Sequence, residues 1–164
     1  MNKEQEILLK RIKKEVDKGT KKWYLLRLDE NTKILTDKAI SFYLPSDCND
    51  FDNIATEIEE KKCNNKLFEN LRVAKNRKIC IEIDEMNLFD KQFGKHECLT
   101  FTDVEDMYGF QKKYFKLLPK RNVLYCYYNV ENVGKKVPIF TFKHKNGSVL
   151  ATLLPVIRNN DIDK

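Results

Sequence analysis

The sequence predicts an α+β protein in which a strand–helix–strands unit occurs twice, side by side, behind an extra N-terminal helix. Apolar residues recur at helical spacing near the N-terminus, whereas strand-type alternation fills several later runs. Residues 40–96 also pass through the same order of elements as residues 97–157. The 164 residues suit one domain with a core of its own.

A basic helix is predicted within residues 1–22. Leu8, Ile12 and Val16 recur on one helix face, and Gly19 ends the run. The opposite face of this helix is basic. It could contact nucleic acid, but a basic face of this kind is more commonly just solvated. Its basic residues are Lys10, Arg11, Lys13, Lys14 and Lys18. A single α+β domain is predicted for 23–157, opening with a strand at 23–28, and a flexible tail for 158–164.

The first unit begins with a strand at Ile40–Leu44, which Pro45 ends. Ser46 or Asn49 can cap a following helix, because an apolar stripe at helical spacing comes next. That stripe consists of Phe51, Ile54, Ala55 and Ile58. Strands are then predicted at 67–74, 78–84 and 86–93, and apolar and polar residues alternate in the second of these.

The second unit is predicted to run from a strand at Glu97–Phe101 into a helix at Asp103–Leu118. Thr102 and Glu105 have the spacing of a capping box, and acidic residues open the helix while lysines close it. Strands are predicted at 122–130, 137–143 and 148–154. Asn146-Gly147 joins the last two, a dipeptide that tolerates the positive φ of a type I′ hairpin turn.

The net charge of +6 is unevenly distributed. Residues 1–39 carry +4, residues 40–98 carry −3 and residues 99–157 carry +5. The two basic regions can attract a polyanion such as DNA through phosphate contacts, although lysine-rich surfaces also simply favour solubility. No apolar run has the length of a membrane span, and the N-terminus has no secretory pattern. We therefore expect a cytoplasmic protein without a membrane partner.

Residues for catalysis are sparse, and we expect no enzyme activity, no cofactor and no metal. Five glycines form no phosphate-binding loop, and five cysteines without a C-x-x-C pair are typical of buried apolar positions. Glu82, Asp84 and Glu85 with Asp90 could hold Mg²⁺ in a metal-dependent nuclease. Strand alternation explains Glu82 and Asp84 more simply, so this interpretation is a remote alternative.

An aromatic group in the last strands has two interpretations. Its rings could stack on nucleic-acid bases, with nearby lysines as a basic rim. Aromatic residues in strands more often pack against a helix, and this interpretation is preferred. The group consists of Tyr125, Tyr127, Tyr128, Phe140 and Phe142.

The stretch Leu99–Ile157 resembles the C-terminal end of a bacterial sliding clamp, the β subunit of DNA polymerase III. The resemblance rests on the helix ending Lys116-Leu117-Leu118-Pro119, the strands after it, and the final Leu153-Leu154-Pro155-Val156, which is similar to the clamps' Met-Pro-containing motif. Residues 65–89 are similar to the first half of a clamp domain. Residues 40–157 would then form one clamp domain built from two similar halves.

The resemblance implies DNA binding by the basic residues and a groove for partner peptides at the C-terminal strand. The implied DNA contacts, with those added from the N-terminal helix, are Lys112, Lys113, Lys116, Lys120, Arg121, Lys10, Arg11 and Lys14. The implied partner-binding residues are Leu153, Leu154, Pro155 and Val156.

This chain also departs from the clamps. Clamp chains carry several such domains and close into a ring, whereas this chain has one, so a ring requires self-association. Its first predicted helix is acidic, and Ile157-Arg158 does not reproduce the usual Arg-then-Leu ending.

We therefore expect a non-catalytic, clamp-like accessory protein of DNA replication that binds DNA, partner peptides or both. The alternative is a small interaction protein, of the kind encoded by viruses or mobile elements, that binds and blocks a host protein. A short chain rich in lysine and asparagine fits this alternative.

Overall fold

The computed structural model describes residues 3–53, 55–58, 71, 81–82, 88–101, 108–118, 123–132, 134–144, 148–154 and 156–157. Within them the chain is mixed α and β and mostly strand, which confirms the predicted α+β class. The helices are α1 (Lys3–Asp17) and α2 (Lys112–Phe115). The strands are β1 (Tyr24–Arg27), β2 (Thr32–Thr36), β3 (Ile40–Pro45), β4 (Thr56–Glu57), β5 (Ile81–Glu82), β6 (Leu88–Phe93), β7 (His96–Phe101), β8 (Tyr108–Gln111), β9 (Val123–Asn132), β10 (Lys135–His144), β11 (Val149–Leu153) and β12 (Val156–Ile157).

These strands form two sheets. An eight-stranded sheet has the order β4-β1-β2-β3-β11-β10-β9-β5, and a four-stranded sheet has the order β12-β8-β7-β6. All of the neighbouring pairs are antiparallel except β1 and β4, which are parallel. Most of the antiparallel pairs join strands that are close in sequence, as short connections favour.

Both faces of the eight-stranded sheet carry buried side chains. Leu25, Leu35 and Phe42 lie on one face and belong to the main core. Their partners in that core include Ile12 of α1, Tyr114 of α2 and Phe110 of β8. The other face contributes to a smaller core cluster made by Leu26, Leu28, Ile34 and Leu71. The sheet is therefore an internal layer with the main core on the α1 side.

The N-terminal helix is confirmed, and its apolar face is part of the core. Leu8, Ile12 and Val16 are buried, because the helical period places them on one side of α1. The strands predicted at 23–28, 40–44, 86–93, 97–101, 122–130, 137–143 and 148–154 are also found within a few residues of those bounds. Strand β2 was not predicted.

The helix predicted to carry the apolar stripe from Phe51 to Ile58 is wrong. Residues 50–53 make turns, and the amide N–H of Ala55 donates to Phe51 O at 3.0 Å, a single helical turn. Thr56 and Glu57 then form β4 beside β1, where the Thr56 N–H donates to Trp23 O at 2.9 Å. Pairing with a sheet edge satisfies these backbone groups, and Phe51 still reaches the core, so the apolar stripe did not require a helix.

The second predicted helix, at 103–118, is wrong over residues 108–111. These residues form β8, which pairs with β7 and β12, and α2 begins only at Lys112. Helix propensity is a weak preference that tertiary pairing overrides, and Tyr108 and Phe110 suit a strand. Thr102 and Glu105 of the predicted capping box lie outside the described residues.

The predicted side-by-side duplication is not found in the described part of the chain. Strand β3 belongs to the eight-stranded sheet, whereas its expected counterpart β7 belongs to the four-stranded sheet. In addition, Leu71 has helical conformation within the predicted strand 67–74. Residues 40–44 and 97–101, which were predicted to be equivalent strands, therefore belong to different sheets and pair with different neighbouring strands.

Gly109 allows β8 to lie close to β7. A Cβ atom added there would lie 3.0 Å from Leu99 O and 3.2 Å from a ring carbon of Phe93. We expect Gly109→Ala to lower the free energy of unfolding by about 1–3 kcal/mol, because the strands must separate or the ring must move. Urea denaturation measures this change, and Gly134→Ala is a control in which the added Cβ meets nothing within 4 Å but a positive φ is strained. A larger effect at Gly134 would mean that backbone strain, and not close packing, dominates.

Candidate anion-binding site

The predicted DNA-binding residues lie in different environments. Lys10, Arg11 and Lys14 are exposed on α1, and Lys113 and Lys116 are exposed on and just after α2. Lys112 forms an ion pair with Asp90, with 3.1 Å between Lys112 Nζ and Asp90 Oδ1. Lys120 and Arg121 lie outside the described residues.

Lys113 lies beside a lysine that the sequence did not single out. Lys21 follows α1, and its Nζ lies 4.3 Å from the centre of the Tyr114 ring. Lys113 Nζ lies 5.1 Å from the centre of the same ring. Two ammonium groups from distant parts of the chain therefore contact one aromatic ring, within the range of a cation–π interaction.

A buried carboxylate holds this arrangement. The side chain of Asp37 is only 2% exposed. It accepts hydrogen bonds from the Tyr114 hydroxyl at 2.6 Å and from Lys21 Nζ at 3.0 Å. The backbone N–H groups of Ala39 and Ile40 also donate to it, at 2.8 and 2.9 Å. We call Lys21, Asp37, Lys113 and Tyr114 the Asp37 cluster.

The pKa values follow from these contacts. Burial alone would raise the pKa of Asp37, but hydrogen bonds from Tyr114, the backbone and Lys21 outweigh it and lower the pKa from 3.8. Burial likewise opposes the charge of Lys21, but bonds to Tyr114 and Asp37 raise its pKa above 10.5. Burial and the neighbouring charge of Lys21 lower the pKa of Lys113. The cluster thus combines one carboxylate, which is paired with Lys21, with a second cation, Lys113, over the same tyrosine ring.

The hairpin turn between β2 and β3 positions Asp37. The Thr36 hydroxyl donates to Ile40 O at 2.8 Å and accepts hydrogen bonds from the Lys38 N–H and the Ser41 hydroxyl. Thr36 and Ser41 are themselves buried. The turn is therefore tied together from within, and the carboxylate of Asp37 is held toward Lys21 and Tyr114.

Two further lysines lie at the same end of the sheet. Lys22 Nζ and Lys38 Nζ lie 5.7 and 5.0 Å from the centre of the Tyr24 ring. Lys22 and Lys38 are exposed, and Tyr24 is half-buried. Because Tyr24 pairs with Thr36 across β1 and β2, this group adjoins the turn that carries Asp37. We call Lys22, Tyr24 and Lys38 the Tyr24 group.

This end of the sheet therefore offers four lysines, two tyrosine rings and one buried carboxylate. The Tyr24 group lies on the opposite face of the sheet from Tyr114, because Tyr24 alternates with Leu25 of the main core. Ammonium groups bind phosphate oxygens as point charges, so this end of the sheet is chemically suited to an anion with more than one phosphate.

The C-terminal motif is divided between the core and the surface. Leu153 is buried in the main core, whereas Leu154 is 42% exposed. The Leu154 N–H donates to Ala39 O at 2.9 Å, and Val156 pairs with Gly109. Pro155 lies outside the described residues. Leu154 is thus the described member of this motif with an exposed side chain.

The aromatic group is buried where its side chains are described, as the preferred interpretation requires, but Phe140 and Phe142 pack against Phe110 of strand β8 and not only against a helix. Tyr127, Phe140 and Phe142 belong to the main core and do not form a surface for bases. The side chains of Tyr125 and Tyr128 are not among those that the structure describes. Buried positions were also correctly expected for three cysteines, which are Cys48, Cys98 and Cys126.

The described residues contain no group of three or more His, Cys, Asp or Glu side chains that could hold a metal ion, so they add no support to the alternative of a metal-dependent nuclease. Asp90 pairs with Lys112, and Asp84 and Glu85 lie outside the described part.

Comparison of the chain with protein-family models, with curated proteins and with solved structures finds no match. Over the described residues, neither helix combines the length and the apolar content that a membrane crossing requires.

Sequence reasoning missed Lys21, Asp37 and Tyr114 as a unit. Asp37 and Tyr114 are 77 residues apart, and no spacing rule joins a turn carboxylate to a tyrosine at that separation. Tyr114 lies within the helix predicted at Asp103–Leu118, but nothing in the sequence marks its hydroxyl as part of a site. The available signal was the excess of positive charge in residues 1–39 and 99–157, which supply all four members of the Asp37 cluster.

Proposed function

We propose that this protein is a non-catalytic accessory protein of DNA replication that binds the phosphate backbone of DNA through the surface around the Asp37 cluster. The observation that carries this proposal is the fixed placement of Lys21 and Lys113 over one tyrosine ring, beside a buried carboxylate. Lysines that serve only solubility do not require ammonium groups held in place by an aromatic ring and a buried carboxylate. Like charges held close together are typical of functional sites.

The neighbouring surface extends the positive charge. Lys14 lies in the last turn of α1, and Lys116 directly follows α2. Both helices contribute residues to the main core, so the backbone positions from which Lys14 and Lys116 project are fixed in the fold. Several phosphates could be contacted at once, and each contact releases counterions from the DNA.

The test is DNA binding by the full chain, measured by fluorescence anisotropy over a salt series. We expect affinity to fall steeply between about 50 and 200 mM salt, because phosphate contacts dominate. Lys113→Gln should weaken binding and reduce the slope of log K against log salt by about one.

Lys95→Gln is the matched control, because it removes one charge from an exposed turn between β6 and β7. It should change affinity and slope less than Lys113→Gln does. Binding that does not depend on salt, or equal effects of the two variants, would contradict the proposal.

Encirclement of DNA in the manner of a sliding clamp would also require the chain to self-associate. A ring needs more than one copy, so sedimentation at micromolar concentration should detect a multimer if the chain acts in this way. A monomer that still binds DNA would restrict the protein to contact from one side.

A further inference from the structure

We propose that the Tyr24 group binds a nucleobase of single-stranded nucleic acid at the same end of the sheet as the phosphate-binding lysines of the Asp37 cluster, but on the opposite face. This inference rests on the proposed function and specifies its ligand. Single-strand sites commonly combine a basic track for the backbone with aromatic rings on which bases stack.

Tyr24 is the ring at this site that a base can approach. Tyr114 is only 5% exposed, and its hydroxyl is engaged by Asp37 and Lys21. Tyr24 is half-buried at the start of β1, so the sheet fixes its backbone while part of the residue remains accessible. Lys22 and Lys38 lie against this ring and can contact the phosphates that flank a stacked base.

The backbone of Lys38 gives a second, independent indication. Its φ is +82°, in the left-handed region that glycine and asparagine adopt far more easily. No other described residue except glycine has a positive φ. A lysine at such a position carries a cost in stability, and residues of this kind occur preferentially at functional sites. Here the strained turn brings a cation to the ring of Tyr24.

The two groups lie close to one another along the chain. Lys21 and Lys22 are neighbours before β1, and Asp37 and Lys38 are neighbours after β2. The start of β1 and the end of β2 are paired through Tyr24 and Thr36. The two groups lie on opposite faces of the sheet, because Tyr24 alternates with Leu25 of the main core. A flexible single strand can pass around this end of the sheet from one group to the other, whereas a stacked duplex does not offer an unpaired base to Tyr24.

The experiment compares a fluorescein-labelled single-stranded oligonucleotide with the duplex formed from it and its complement, at one salt concentration. We expect the wild type to bind the single strand more tightly. Tyr24→Leu should weaken single-strand binding about tenfold and change duplex binding much less, because one stacking contact is lost. Tyr24→Phe keeps the ring and should retain most of the affinity.

Lys38→Asn separates a binding role from a structural one. Asparagine accepts the left-handed conformation, so this variant should melt at the same temperature as the wild type or higher, while its affinity for the single strand falls. A purely structural lysine would leave the affinity unchanged.

The possible failures are distinguishable. If both nucleic acids bind with a salt dependence that Lys113→Gln reduces, but Tyr24→Leu binds the single strand like the wild type, the stacking site is refuted and the proposed function stands. Equal affinity of the wild type for the single strand and the duplex refutes it as well. If neither nucleic acid binds, both the function and this site are refuted.

Discussion

Phe110→Ala is expected to lower the free energy of unfolding by about 3–5 kcal/mol, the largest effect foreseen for one substitution in this chain. Phe110 lies in β8 of the four-stranded sheet and is 1% exposed. Its ring centre lies 4.7 Å from that of Phe140 and 5.9 Å from that of Phe142, both in the eight-stranded sheet. Truncation would leave a cavity where the two sheets meet.

Equilibrium unfolding in urea measures this loss, and Leu154→Ala is the control. Leu154 is 42% exposed, so its truncation should change stability by less than about 0.5 kcal/mol. Phe110→Leu should recover part of the loss, because it refills some of the volume. Similar effects of Phe110→Ala and Leu154→Ala would show that the two sheets do not depend on this contact.

Asp37→Asn is expected to cost about 2–3 kcal/mol of stability. The change keeps the size of the side chain but removes the negative charge that accepts hydrogen bonds from Tyr114 and Lys21. Lys21 is partly exposed, so water can solvate its ammonium group and limit the cost. Asp52→Asn is the matched control, because that carboxylate is 44% exposed and lies 3.7 Å from Lys33 Nζ. It should cost at most about 1 kcal/mol.

The contribution of Asp37 also depends on pH in a definite direction. Its pKa is below 3.8 in the folded chain, so the unfolded chain takes up the proton first as the pH falls. The stabilisation is fully present above the unfolded pKa and is lost as the pH falls through the folded pKa. The stability difference between the wild type and Asp37→Asn should therefore be constant near neutral pH and shrink in acid. A difference that grows in acid would be inconsistent with a lowered pKa.

The elements that were predicted correctly depend on residues close together in the chain. The buried positions of α1 follow from its helical period, and the pairing of β10 with β11 agrees with a hairpin at Asn146-Gly147. The turn itself lies outside the described residues, but the His144 N–H donates to Ser148 O at 2.9 Å on either side of it. Such patterns need no knowledge of distant residues.

The errors arose where distant residues compete. Residues 108–111 lie within a sequence that is typical of a helix, yet pairing with β7 and β12 makes them a strand. Gly109 permits the close approach of β8 to β7. In the same way, Thr56 and Glu57, within the apolar stripe from Phe51 to Ile58, pair with the edge of β1 and do not continue a helix. The candidate site was predicted only in part, since Lys113 was named while Lys21, Asp37 and the two tyrosines were not.

Spacing and composition were enough to determine a mixed α and β chain, the position of its first helix, most of its strands and its two basic regions. These features follow from backbone preferences and from side chains a few residues apart. The choice between helix and strand at 108–111 and the meeting of Asp37 with Tyr114 came from the folded chain alone. Both depend on backbone hydrogen bonds and buried charges between segments that only the complete fold brings into contact.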